Sequence, residues 1–374
     1  MRFSEIKGHK QLKGTIAKIV VENKVSHAML FTENEGGGAL PIALATAAFI
    51  TCKNRGVNDS CGVCPSCNKI SKLIHPDLHF ALPVNTSSTT SEQKPTTDTY
   101  IGKWRDALLK NPYITESEWY ATIGIEDKRG LIGVAESQSI LKKLSLISYE
   151  GGEKFMIIWL PERMNRECSN KLLKILEEPT AGTYFMLITQ SPDKLLSTVL
   201  SRCQIIPVKP EDPDVLAELL KEEFNLNKED AKMWAKVSLY SYGNAVNLIK
   251  GSDNQTLYKE VLIKLIDRAI SKDLVAVLDS SEDIISLGKE RQKEFCIYSL
   301  NLIRKFYVTK LGLPQISNVE ESQRVFIEKY AEMIPLLFLE KSTIIFNKAL
   351  EDLERNVNPK FIFSDLTNRF FVSL

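Results

Sequence analysis

The stretch Phe155–Val208, FMIIWLPERMNRECSNKLLKILEEPTAGTYFMLITQSPDKLLSTVLSRCQIIPV, decides the fold class. Phe155 to Leu160 and Tyr184 to Thr189 are short apolar runs with the length and composition of strands buried on both faces. Between them Cys168, Leu172, Leu173 and Leu176 fall on one face at helical spacing, Glu167 sits in the first turn, and Pro179 stops the pattern. A second helix is expected over Pro192 to Leu200 and a third apolar strand over Ile205 to Val208. Strand, helix, strand, helix, strand is a parallel, doubly wound pattern, and such sheets carry function at the carboxyl ends of their strands. The loops after Leu160, Thr189 and Leu200 are the first places to look for it.

Outside that stretch, length and composition set bounds. A chain of 374 residues is too long for one compact core and suggests two or three domains. The apolar fraction of 44% is ordinary for a soluble protein, and a formal net charge of +1 gives no global pull toward nucleic acid or membrane. No basic, apolar, small-residue leader opens the chain and no apolar run reaches the roughly 18 residues of a membrane span, so a cytoplasmic location is expected. In that compartment seven cysteines argue for thiols or metal rather than disulfides.

Toward the N-terminus, Leu12, Ile16, Ile19 and Val20 mark an amphipathic helix within Ile6 to Asn23, and Ala28 to Phe31 reads as a buried strand. The strand runs into Thr32-Glu33-Asn34-Glu35-Gly36-Gly37-Gly38 and then an apolar helix over Pro41 to Ile50. Strand, glycine loop, helix is the setting of a phosphate-binding loop, whose pattern GxxxxGK[ST] would fall on Glu33, Gly38, Ala39 and Leu40. Only Gly38 fits. The lysine and hydroxyl that would hold the phosphates and magnesium are replaced by Ala39 and Leu40, and Glu33 and Glu35 add negative charge. The amides of Gly36, Gly37 and Gly38 have the form of an anion nest, but the expected reading is a tight turn that supports neither ATP binding nor hydrolysis.

Cys52, Cys61, Cys64 and Cys67 are spaced C-x8-C-x2-C-x2-C, with Gly62 and Pro65 in the intervening turns. Two short spacings bring pairs of sulfurs to one ion, which is what tetrahedral zinc needs, and a closed four-cysteine site has no open position for catalysis. A structural Zn2+ is expected. His75, before Pro76, reads as a turn residue rather than a ligand. Asn85 to Thr99, rich in serine and threonine, reads as a mobile surface loop. Trp104 and Trp119 suggest a small helical core over Ile101 to Ile125 rather than a nucleic-acid surface. Val134, Ile140, Leu141, Leu144 and Ile147 mark a helix over Ile132 to Ile147, and Glu150-Gly151-Gly152 turns the chain into Phe155.

Past Pro210 and Pro213, three short helices are expected over Val215–Phe224, Lys228–Leu239 and Gly243–Ile249. Beyond Ser252 the pattern is wholly helical: Tyr258–Ile270, a long segment from Ile284 to Leu311, Val325–Ile334 and Lys341–Leu353, punctuated by Pro314 and Pro335.

Asn170-Lys171-Leu172-Leu173-Lys174-Ile175-Leu176-Glu177-Glu178-Pro179, Ser201-Arg202-Cys203, the cysteine module, Gly8-His9 and Ser26-His27-Ala28 together resemble the bacterial DNA polymerase III clamp-loader subunits, which are AAA+ proteins. The resemblance implies an α/β AAA+ module with a zinc module (1–209, cysteines within 52–67), a helical lid (210–253) and an all-α collar (254–374) for oligomerisation. Within the family the ATP-hydrolysing gamma/tau type and the delta-prime branch differ at three places. The phosphate loop lacks its lysine, the strand Phe155–Leu160 runs into Pro161 with Glu162 displaced from the Walker B position, and the lid around Gly243 shows Asn244, Ala245 and Val246 with no sensor arginine. These departures point to delta-prime and to no intrinsic ATPase. The resemblance further implies that Arg202 acts as an arginine finger on a neighbouring subunit's ATP. Implied partners are gamma/tau and delta subunits, with the sliding clamp and primer-template DNA reached through the complex. The competing readings are an active gamma/tau-type ATPase and a free-standing zinc protein that binds nucleic acid, the latter disfavoured by the near-zero charge.

Overall fold

Five apolar segments form one parallel sheet: β1 (Ala28–Thr32), β2 (Leu78–Ala81), β3 (Lys154–Trp159), β4 (Thr183–Thr189) and β5 (Gln204–Pro207), in the order β2-β3-β4-β1-β5. Side chains alternate across it, as the two-residue period of a strand requires. Met29, Phe31, Phe155, Ile157, Trp159, Met186 and Ile188 join one core; Ala28, Leu30, Met156, Ile158, Phe185 and Leu187 join another. The first is covered by α1 (Lys10–Val21), α2 (Ala39–Thr51), α3 (Pro65–Ser71), α4 (Thr97–Lys110) and α5 (Glu116–Ile123). The second is covered by α6 (Val134–Ser145), α7 (Arg166–Glu177) and α8 (Ser197–Leu200). Burial on both faces is why β3 and β4 read as continuous apolar runs.

The computed structural model describes residues 1–87, 94–125, 128–150, 152–250, 255–312, 321–355 and 357–373. The centre of the serine- and threonine-rich stretch, Gly151 of the expected turn, Ser252 and the expected 253/254 boundary, and Pro314 lie outside these residues. The described residues divide into two compact units, Met1–Val246 and Asn247–Leu374. The first also takes in α9 (Pro213–Phe224), α10 (Lys228–Val237) and the start of α11 (Tyr242–Lys250).

Several expectations are corrected. Pro192 to Leu200 is not one helix but a 3-10 turn, Pro192–Lys194, followed by the single turn α8, because the segment has too few apolar positions to bury more. The third strand is an edge strand: Gln204, Ile205 and Pro207 are exposed and only Ile206 is buried within it, which also explains how a proline is tolerated there. Ile147 lies beyond the end of α6 and is exposed. Thr97 to Thr99, assigned to a loop, begin α4, where Thr96 and Thr99 form a capping box.

The second unit contains α12 (Gln255–Ile270), α13 (Leu274–Ile285), α14 (Lys289–Lys310), α15 (Glu321–Met333), α16 (Leu336–Glu354) and α17 (Pro359–Val372) around buried Phe295, Phe306, Phe338, Phe346, Phe363 and Phe370. The expected continuous segment from Ile284 to Leu311 is broken at Gly288, whose φ of 81° lies outside the helical region, so Ile284 closes α13 and α14 starts afresh. No described helix is long and apolar enough to cross a membrane.

Trp104 is fully buried, with ring centroids 5.1 Å from Trp119, 5.1 Å from Trp159 and 6.0 Å from Phe80. This is the local core anticipated for the tryptophan-rich segment. Trp119 donates its indole N–H to the Pro83 carbonyl at 2.9 Å, whereas the Trp104 indole N–H is buried without an acceptor among the described residues. Trp104→Ala should therefore cost about 3–5 kcal/mol in denaturant unfolding. Trp104→Phe should cost clearly less, because it keeps the ring and removes an unpaired donor.

Candidate functional site

Three groupings of side chains carry chemistry. The first is the cysteine module, built where α2 ends at Cys52 and α3 begins after Cys64. The sulfurs of Cys52, Cys61, Cys64 and Cys67 lie within 4.8 Å of one another, and those of Cys61 and Cys67 are 4.0 Å apart. A tetrahedron of sulfurs about 2.3 Å from zinc has edges of roughly 3.8 Å, so the set fits that ion. Gly62 turns the chain between two ligands at φ 73°, a conformation costly to other residues. The amides of Cys61 and Cys64 donate to the sulfurs of Cys52 and Cys61 at 3.2 and 3.3 Å, and donors from Val63 and Cys64 pull the Cys61 thiol down to about 6. Burial pushes Cys67 up to about 12 and Cys52 in the same direction, so a nearby cation would favour their thiolate forms. Asp59 fixes the module to the N-terminus by accepting from the amides of Phe3 and Ser4 at 3.0 and 2.9 Å. His75 stands outside the sulfur cluster, buried, with Nε2 3.0 Å from Ser66 Oγ.

The second grouping is the loop from Glu33 to Gly38, at the carboxyl end of β1. Gly36 and Gly38 have φ of 69° and 94° and make the tight turn into α2. The Glu33 carboxyl group folds back into the turn and accepts the Ala39 amide at 2.8 Å, at the helix N-terminus where a phosphate loop would receive its ligand. Burial, aided by Glu35 and Glu162, pushes Glu33 up to about 8. The start of α11 sits directly on the loop. Gly243 donates its amide to Gly36 O at 3.0 Å, and Ser241 Oγ donates to Glu35 O at 2.8 Å. A methyl group on Gly243 would meet Tyr113 Cβ at 2.5 Å and Gly36 O at 2.7 Å. Tyr113 in turn packs against Tyr242, ring centroids 4.9 Å apart. Glu162 is engaged as well: it accepts from Thr189 Oγ1 at 2.7 Å and the Gln190 amide at 3.0 Å, bracing the end of β4.

The third grouping lies at the opposite end of the sheet. Arg202 precedes β5, whose Gln204 is in register with Met29 and whose Pro207 is in register with Thr32. Arg202 is therefore at the amino end of the strands and the Glu33–Gly38 loop is at the carboxyl end. A five-residue strand separates them by roughly 15 Å. This corrects the expectation that the loop after Leu200 belongs to the carboxyl rim. Arg202 donates from Nε and Nη2 to Glu177 Oε2 at 3.0 and 2.6 Å and from Nη1 to Thr198 O at 3.0 Å.

The family model described as DNA polymerase III, delta subunit, matches residues 8–212. The chain belongs to that family. Among curated members of the DNA polymerase III delta-prime group, the Bacillus subtilis (strain 168) subunit is 29% identical over 204 residues, covering 54% of this chain and 48% of that protein. The Escherichia coli (strain K12) subunit is 24% identical over 231 residues, covering 61% and 56%. The B. subtilis tau subunit is 22% identical over 389 residues, covering 97% and 60%. The chain thus groups with delta-prime clamp-loader subunits, and it spans about half the length of the delta-prime relatives it matches. A solved gamma-subunit-related protein from Thermotoga maritima aligns over 96% of this chain and 99% of that one at 15% identity, with a TM-score of 0.38.

In this delta-family chain the four cysteines converge, while the glycine loop and Arg202 are kept apart. Sequence reasoning placed negative charge from Glu33 in the loop but missed that this carboxyl takes the Ala39 amide; it missed Tyr113, which no local pattern marks, and named Glu177 only within the Asn170–Pro179 run without a role. The loop gives a pH signature. A carboxyl whose pKa rises from 4.5 in the unfolded chain to about 8 in the folded one contributes stability that is complete below pH 4.5 and lost as pH rises toward 8. Relative to Glu33→Gln, the wild-type chain should lose stability across that window by on the order of 1 kcal/mol per pH unit and run parallel to the variant above it. Equal pH profiles in chemical denaturation would show that Glu33 ionises freely in the loop.

Proposed function

We propose that this chain is a non-hydrolysing, cytoplasmic clamp-loader subunit of the delta-prime type, which assembles with gamma/tau and delta subunits to place the sliding clamp on primed DNA. Its own contribution is an arginine finger: Arg202 reaches the ATP held by a neighbouring subunit and stabilises charge on the transferring phosphoryl group. The observation that carries this reading is directional. Arg202 is at the amino end of the parallel sheet, away from the chain's own glycine loop, so it serves a nucleotide only if another subunit holds it there. The chain's loop supports the same reading, since Glu33 takes the Ala39 amide and the start of α11 rests on Gly36.

On this reading residues 1–209 form the AAA+ domain, 210–253 a lid and 254–374 a collar. The cysteines Cys52, Cys61, Cys64 and Cys67 would hold one structural Zn2+, which supplies no catalysis and fixes the turn between α2 and α3. The purified chain should contain one zinc per molecule by elemental analysis, and Cys64→Ser should lower both zinc content and the thermal midpoint. Full stability without bound metal would contradict a structural zinc.

Arg202→Ala, in a complex reconstituted with a gamma/tau-type ATPase, should leave assembly intact and lower ATP turnover on the order of a hundredfold or more, toward the range that arginine fingers contribute. Unchanged turnover would remove the finger. Tight magnesium-dependent ATP binding by the isolated chain would instead favour the gamma/tau-type reading.

A further inference from the structure

We infer that Glu177 is a positioning residue for Arg202, holding its guanidinium so that Nη1 and Nη2 each keep a donor for a phosphate; this rests on the finger reading above. A guanidinium has five N–H groups. Three of those on Arg202 are engaged: Nε–H and one Nη2–H on Glu177 Oε2, and one Nη1–H on Thr198 O. Among the described residues, one N–H on Nη1 and one on Nη2 have no partner. Each is a charged donor able to meet a phosphate oxygen. Glu177 and Thr198 thus take three donors and leave one on each terminal nitrogen.

Local physics gives Glu177 no other task. It is the last residue of α7 and is exposed, so packing does not call for it. A carboxylate at a helix carboxyl end meets the negative pole of the helix dipole, where a lysine would be more stable. Its neighbour Leu176 is fixed from below: the carbonyl accepts from His27 Nε2 at 3.0 Å, which puts the ring proton on that nitrogen. The segments Ser26-His27-Ala28, Leu176-Glu177-Glu178 and Ser201-Arg202-Cys203, distant in the chain, therefore meet at the amino end of the sheet as one support. His27 holds the end of α7, α7 presents Glu177, and Glu177 holds Arg202. Removing the carboxylate frees a long side chain whose rotamer entropy must then be lost when it meets the phosphate.

An exposed ion pair contributes little to folding, so the position can be tested without unfolding the chain. In a complex reconstituted with gamma/tau-type ATPase subunits, Glu177→Ala should assemble normally and keep the wild-type thermal midpoint. It should lower kcat for ATP about tenfold with KM for ATP unchanged, as misplacement of a group that acts in the transition state does. Arg202→Ala should lower kcat further, and the double variant should match Arg202→Ala alone, since a positioner has nothing to position once the arginine is gone. Wild-type kcat in Glu177→Ala beside an impaired Arg202→Ala would overturn the positioning role while leaving the finger in place, as would losses that multiply in the double variant. Wild-type kcat in Arg202→Ala would remove the finger and the positioning role together.

Discussion

In a sheet whose strands all run one way, whether a residue comes before or after its strand decides which end of the domain it serves. β1 pairs with β4 on one side and β5 on the other, both parallel and in close register. The loop after β1, the turn after β3 and the end of β4 consequently gather at one rim, where Glu33, Glu162 and Thr189 meet. The segments before β1, β4 and β5 gather at the other, where His27, Glu177 and Arg202 meet. No side-chain rearrangement brings the two rims together across roughly 15 Å of strand. The separation of the Glu33–Gly38 loop from Arg202 follows from strand direction.

Contacts within the chain hold the carboxyl rim. Two hydrogen bonds from Ser241 and Gly243 hold the start of α11 to the loop, each worth about 1 kcal/mol net. The close packing of Tyr113 against Gly243 leaves no room for even a methyl group there. Glu33 completes the turn by accepting the Ala39 amide, and its upward shift means that near neutral pH it does so mostly as an uncharged acid. A neutral acceptor avoids adding a third negative charge beside Glu35 and Glu162. The amino rim is the reverse case: charged, with an exposed Glu177 carboxylate holding a half-buried Arg202 guanidinium.

The fold class was legible because burial on both faces leaves a plain record, continuous apolar runs at β3 and β4 with a helical period between them. The cysteine module was legible because metal ligation needs particular atoms at short spacing, and the structure brings all four sulfurs together. Less was legible at edges and breaks. β5 has one neighbour, so its apolar residues say little about its exposure, and a single glycine at position 288 outweighed the periodicity that joined α13 to α14. α17 fell within the stretch read as helical, but no helix of its own was marked there. The roles of Tyr113, Glu33 and Glu177 depend on contacts across long stretches of sequence, which neither propensity nor spacing encodes. Arg202 was singled out from its motif; the rim it occupies required the strand register.

The most direct test is a structure of this chain in complex with a gamma/tau-type subunit and a non-hydrolysable ATP analogue with magnesium. The expected result has the Nη1 and Nη2 groups of Arg202 within hydrogen-bonding distance of the γ-phosphate in the neighbour's site, Glu177 still on Nε, and Glu33 still accepting the Ala39 amide. Nucleotide bound on Gly36 to Gly38 of this chain, with Arg202 facing solvent, would contradict the account.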